Sequence, residues 1–165
     1  MRNSVILLGA AAVLTCGRPE IAEYPPAAEC RVQRVSDGDS FYCEGGKRVR
    51  LIGLDAPEAD QGELGRASRD ALLQLMPVGS AIRLETDVRV TDRYERILAY
   101  GWRDSVMLNR EMIRRGWAVL YTVPPNVRYV AQLRAAQDSA RQEGAGHWGT
   151  AGFACAPERH RKREC

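Results

Sequence analysis

Three separated stretches concentrate the side chains able to do chemistry. Arg50-Leu-Ile-Gly-Leu-Asp-Ala-Pro-Glu58 reads as a buried strand running into a turn with two carboxylates, Asp55 and Glu58. Gly53 permits a bend, and Pro57 ends the ladder because it has no N–H to donate. Upstream, Asp37-Gly38-Asp39-Ser40 is a tight-turn signal carrying two more acids. Downstream, Thr91-Asp92-Arg93-Tyr94-Glu95-Arg96 is a polar corner leading into an apolar strand. Taken singly, each has a plain reading: a turn, a polar loop, a surface ion pair worth about 0–1 kcal/mol. Together they hold acids able to bind a metal, an acid able to take a proton and two arginines able to clamp a phosphate. That inventory suits metal-assisted attack on a phosphodiester. Histidine is not needed for it, and His147 and His160 are the only two in the chain.

The elements that must position these groups follow from periodicity. Strands are expected at 31–36, 40–43 and 48–54, joined by the Asp37-Gly38 and Glu44-Gly45-Gly46-Lys47 turns. From Asp60 the pattern becomes helical: Leu64, Ala67, Ala71, Leu72 and Leu75 share one face, and Pro77 and Gly79 end the helix. Ile82, Leu84, Thr86 and Val88 alternate with polar residues as a fourth strand, and 97–102 forms a fifth, whose Tyr100 and Trp102 read as core. Asp104 or Ser105 is the expected cap of a helix running to Arg115. Asn126 is the expected cap of a last helix containing Ala131, Leu133, Ala136 and Ala140. Five strands with a helix after the third, and about three helices in all, make an α+β fold that is mainly barrel, of the OB type. Residues 30–149 form this one domain.

These motifs, with Met107-Leu108-Asn109, Pro125-Asn126 and Gly146-His147-Trp148 in the same order, resemble the staphylococcal nuclease (thermonuclease) family from about Arg31 to Trp148. The resemblance implies a calcium-dependent hydrolase that cleaves DNA and RNA phosphodiesters with little sequence specificity, leaving 3′-phosphate ends. It implies Asp39, Asp55 and the carbonyl of Ala56 as Ca²⁺ ligands. So few protein ligands predict binding on the order of 10⁻⁴–10⁻³ M, as in extracellular calcium modules. It implies Glu58 as general base, Arg50 and Arg96 as the phosphate clamp, and Arg93, Tyr94 and Tyr121 as nucleotide contacts. Ala56 stands where the family has threonine, Ser40 also replaces threonine, and Glu95 replaces a glycine beside the clamp. The chain near Tyr121 is one residue shorter than the family pattern. The competing reading is a non-catalytic OB module that binds nucleic acid; in such domains the acids or arginines are typically lost, and here all five matched positions are intact.

The ends of the chain point to export. Met1-Arg2-Asn3 and the apolar run from Val5 to Leu14 suit a signal peptide and are too short to span a bilayer. Val13-Leu14-Thr15-Cys16 resembles a lipoprotein box, which would make Cys16 a lipidated first residue; plain cleavage between Cys16 and Ala28 is the alternative. Residues 1–16 are thus the leader, and the Pro/Ala-rich 17–29 a linker. The expected location is the periplasm, the exterior or a membrane-anchored lipoprotein of a bacterium, and the expected state is a monomer. Without Cys16, four cysteines remain: Cys30, Cys43, Cys155 and Cys165. Export favours two disulfides, either 30–43 with 155–165 or 30–155 with 43–165. No Cys-x-x-Cys is present, which argues against a zinc site. Residues 150–165 read as a separate basic tail with Arg159, His160, Arg161, Lys162 and Arg163 between its cysteines. It reads foremost as a solvated, disulfide-closed terminus, with nucleic-acid or membrane contact as alternatives. A net charge of +3 permits an anionic partner without requiring one.

Overall fold

The computed structural model describes residues 28–165; the leader, Cys16 and most of the linker lie outside them. Strand β1 (Ala28–Val35) pairs antiparallel with β2 (Ser40–Cys43), which pairs with β3 (Arg48–Leu51). The expected third strand does not run through to residue 54. Gly53, at φ +80°, breaks it, and β4 (Gly53–Asp55) leaves the barrel. Helix α1 (Glu63–Leu75) follows a short 3₁₀ turn, Ala59–Gln61. Strands β5 (Ala81–Thr91) and β6 (Ile97–Arg103) then pair antiparallel. β5 also pairs with β1, and β6 runs parallel to β3 with Arg50 opposite Leu98. That last pairing closes a five-stranded mixed barrel of the expected type. Ala28 and Glu29, expected in the linker, already pair with Leu84 and Arg83.

The barrel closes because one face of each strand is apolar. Val32, Phe41, Val49, Leu51, Ile82, Leu84 and Ala99 are all buried, while Arg31, Arg83 and Arg48 between them face out. Helix α1 packs Ala71 and Leu72 under the barrel.

Two expected helix caps are not caps. Asp104 turns a tight connection at φ +54°, leading into β7 (Val106–Met107), which pairs back on β6. Helix α2 (Leu108–Arg114) therefore starts later than expected. Its Asn109 is fully buried, accepting from Gly101 N–H (2.9 Å) and donating to the carbonyls of Ile52 (2.8 Å) and Ala99 (3.3 Å). This one amide ties α2 to the strand end that leads into the Asp55 turn. Strand β8 (Val119–Tyr121) pairs with β4, Tyr121 lying opposite Gly53. Asn126 does not start the last helix. Its side chain accepts from Arg89 N–H (2.7 Å) and donates to Arg89 O (2.9 Å), pinning the outer end of β5, and α3 (Val130–Glu143) begins after Tyr129. A side chain matching both backbone groups of one residue is better satisfied there than at a helix end. Helix α3 buries Leu133, Ala136 and Ala140, and Ala131 is exposed.

A fourth helix lies in the tail. Residues 150–165 form a disulfide-closed terminus whose Arg159, Arg161, Lys162 and Arg163 are exposed, and it is folded: α4 (Pro157–Arg161) is closed by Cys155–Cys165, while Cys30–Cys43 staples β1 to β2. Phe153 packs its ring against His147 (5.3 Å between centroids) and Trp148 (4.6 Å), which seats the tail on the domain.

Candidate active site

Every residue from Leu51 to Pro57 is buried, so Asp55 enters the site from the protein side and not from solvent. The Asp37 turn is built to meet it. Asp37 Oδ1 accepts from Asp39 N–H (3.0 Å). Asp39 Oδ1 accepts from Ser40 Oγ (2.8 Å), and its Oδ2 accepts from Ala56 N–H (3.0 Å). Gly38 allows this approach: a Cβ there would fall 2.6 Å from Ala56 Cβ and 2.8 Å from Ser68 Cβ. Two turns far apart in sequence are thus locked face to face, with Asp39 and Asp55 side by side.

Arg50 joins them. Its guanidinium pairs with Asp39 Oδ2 and, at 3.2 Å, with Asp55 Oδ1; the three side chains are 15%, 9% and 1% exposed. Burial, followed by the neighbouring charge of Asp39, pushes Asp37 up to about 7. Burial also raises Asp55 above the usual carboxylate range, although hydrogen bonds and charge from Arg161 and Arg50 oppose it.

Glu58 follows Pro57 at the entrance to the 3₁₀ turn and is half-exposed. Its N–H donates to Gln61 Oε1 (2.9 Å), and its carbonyl accepts from Gln61 N–H (3.0 Å). Helix α1 comes so close that a Cβ on Gly65 would stand 2.1 Å from Glu58 O. The Glu58 backbone therefore has little room to shift.

Asp92 organises the corner between β5 and β6. It accepts from Tyr94 N–H (2.8 Å), Arg96 N–H (3.0 Å) and Arg96 Nε (2.7 Å). Burial raises its pKa, but these bonds from Arg96 and Tyr94 outweigh it and hold the carboxyl low. They also hold Glu95 at φ +60°, so the left-handed position is kept although the residue is not glycine. Arg93 donates to Tyr94 Oη (2.6 Å), and Tyr94 is 51% exposed.

A cleft of about 410 Å³ gathers Asp39, Arg50, Glu58, Arg93, Tyr94, Arg96 and Tyr121 on its walls. Asp55 and Ala56 do not line it; they form the floor behind Asp39 and Arg50. Sequence reasoning missed Asp37, Arg89, Asn126 and Arg161 as wall residues. Arg161 matters most. Its Nη1 donates to Glu58 Oε1 (2.6 Å) and Asp55 Oδ1 (3.0 Å), and its Nη2 to Asp55 Oδ2 (2.7 Å). The basic tail was visible in the sequence, but nothing there indicates which of its cations reaches across more than a hundred residues of chain.

His147 is structural, as its position near the last long helix implied. It is buried with Nε2 3.0 Å from Ser68 Oγ, which donates to Trp117 O (2.8 Å), and burial lowers its pKa. Neither residue lines the cleft.

The donor set fits a hard divalent cation. Asp39 and Asp55 offer carboxylate oxygens at one place and already attract cationic groups there. Among the described residues no cluster of three or more His, Cys, Asp or Glu could enclose a metal. Such an ion would need carbonyl oxygen, water or substrate to complete its shell, which suits calcium or magnesium rather than zinc.

A family model described as staphylococcal nuclease homologue matches residues 48–150. A thermonuclease of Staphylococcus intermedius is 32% identical over 125 residues, covering 71% of this chain and 74% of that protein. An uncharacterized endonuclease of Haemophilus influenzae is 35% identical over 123 residues (72% of this chain, 65% of that protein). One from Escherichia coli is 34% identical over 125 residues (73% and 77%).

Proposed function

The chain belongs to the staphylococcal nuclease family, and we propose that it is a calcium-dependent nuclease cleaving DNA, RNA or both by water attack at phosphorus. That it is a hydrolase acting on nucleic acid follows from its relatives; the metal and the residue roles are our reading. The observation that carries the reading is the convergence of Asp39, Arg50, Glu58 and Arg96 on the walls of a single cleft, with Asp55 paired to Arg50 behind them.

In this reading Asp39 and Asp55, with the Ala56 carbonyl, hold Ca²⁺. When bound there, the ion supplies positive charge to the phosphoryl oxygens and helps orient the substrate. Arg50 and Arg96, which both line the cleft, receive the scissile phosphate. Negative charge grows on its non-bridging oxygens as water attacks, so paired guanidiniums strengthen most in the transition state. Glu58 takes the water proton as the new O–P bond forms. The P–O bond to the 5′ carbon breaks, the departing oxygen gains a proton, and a 3′-phosphate remains. Arg93, Tyr94 and Tyr121 line the way in, where an exposed aromatic ring suits a base or a phosphate.

The two disulfides support an oxidising compartment, and so export, as part of the proposal. A cleaved leader, ending either in lipidation at Cys16 or in plain cleavage between Cys16 and Ala28, and a monomeric state belong to the same reading.

The test is cleavage of single-stranded DNA with calcium, with chelator, and by Glu58→Gln. We expect a strict calcium requirement and a loss of roughly 10²–10⁴-fold in the variant, the range for a positioned base. A folded protein that binds DNA and never cuts it would instead be the non-catalytic OB module.

A further inference from the structure

We propose that Arg161 is a built-in cation that competes with the divalent metal for Asp55, and with the attacking water for Glu58, and so sets the calcium concentration at which the site works. The inference rests on the assignment of Asp55 and Glu58 made above.

Both oxygens of Asp55 are taken by one planar guanidinium, and the same group reaches Glu58 Oε1 at 2.6 Å. Asp55 is 1% exposed, so little water weakens the pairing. Arg50 already offsets Asp39. With Arg161 in place the two carboxylates face two guanidiniums, and little net charge is left to draw a divalent ion. An arginine cannot shed its proton to release them; it can only be displaced.

Its placement does not depend on these bonds alone. The Cys155–Cys165 disulfide closes the loop that carries α4. Gln61, which also holds the Glu58 backbone, donates through Nε2 to Cys155 O (3.2 Å). His160 Nε2 lies 3.0 Å from Asp60 Oδ1, and Phe153 packs edge-on against His147 and tilted against Trp148. The helix therefore presents Arg161 to the site at high effective concentration. The Arg161 side chain is 39% exposed, so a path to solvent is open when a metal ion displaces it.

Apparent affinity falls by the fraction of molecules in which the site is free. Removing the competitor should therefore raise calcium affinity at least tenfold. The experiment compares wild type, Arg161→Gln and the Arg161→Gln/Asp55→Asn double variant. It reads calorimetric binding of Ca²⁺ alone and, separately, the calcium dependence of single-stranded DNA cleavage. We expect Arg161→Gln to bind calcium at least tenfold more tightly, its half-maximal calcium for cleavage to fall by the same factor, and the gain to vanish with Asp55→Asn. Equal calcium affinity in wild type and Arg161→Gln, in a wild type that does bind calcium and cleave, would overturn the proposal and leave the nuclease reading intact. Unchanged calcium affinity with weaker cleavage at saturating calcium would overturn it in favour of Arg161 as a substrate contact. No calcium binding and no cleavage by any of the proteins would mean that the metal-site reading had failed, and this proposal with it.

Discussion

Arg50 is the residue whose loss the structure prices most clearly. Arg50→Met keeps length and packing while removing the charge. Asp39 and Asp55, 9% and 1% exposed, then stand side by side without the group that bridges them. Breaking a buried pair from one side costs about 3–5 kcal/mol. The lower end applies, because Arg161 still covers Asp55 and Ala56 N–H and Ser40 Oγ still donate to Asp39. For a domain of this size a loss of about 3 kcal/mol lowers Tm by roughly 10 °C. The pH dependence identifies the cause. Asp55 is already raised by burial and held back in part by Arg50, so without Arg50 it rises further. A carboxyl raised in the folded state costs stability progressively as pH climbs through its folded pKa. The gap between variant and wild type should therefore be widest near pH 7.5 and narrow toward pH 4. Thermal melts of both proteins across that range, with chelator present, are the assay. A variant within about 1 kcal/mol of wild type at pH 7.5, or a deficit equal at both ends, would refute the electrostatic account and leave only lost packing.

Two further outcomes follow from the same geometry. Gly65→Ala puts a methyl group where Glu58 O stands 2.1 Å away; the Glu58 backbone must move, and a displacement of about 1 Å costs on the order of 10²-fold in rate, so single-turnover cleavage should fall far more than α-helical circular dichroism, whereas full activity would show Glu58 is not held by this contact. Asp37, raised to about 7 by burial and then by Asp39, gains protons on folding, so its contribution is favourable below the unfolded pKa near 4 and is lost as pH rises to 7; Asp37→Asn, which keeps the acceptor for Asp39 N–H, should become more stable relative to wild type over that interval in chemical denaturation, and a pH-independent difference would contradict it.

Much of the barrel was legible because its signals are local. The alternation around Ile82 and Leu84, the Asp37-Gly38 turn and the Gly53 bend each depend on a few adjacent residues, and the structure has them as read. Misreadings came where a polar side chain had two possible partners. Asp104 and Asn126 look like helix caps by type. Asp104 instead turns the β6–β7 connection, and Asn126 binds Arg89, a residue distant in sequence. Glu95 looked like a misfit in a glycine position, yet the bonds that Asp92 makes on either side of it hold the left-handed turn.

The sequence by itself determined the fold class, the five barrel strands and the three longer helices to within a few residues, and the set of acids and arginines, because residue type and spacing govern backbone conformation and chemical capacity. Only the tertiary structure decided which cysteines pair, that Asp55 sits on the floor of the cleft and not on its wall, and that the basic tail folds back to place Arg161 on Asp55 and Glu58. Those facts depend on distances between groups up to 106 residues apart along the chain, and such distances are set by packing around a common core, which no local pattern encodes.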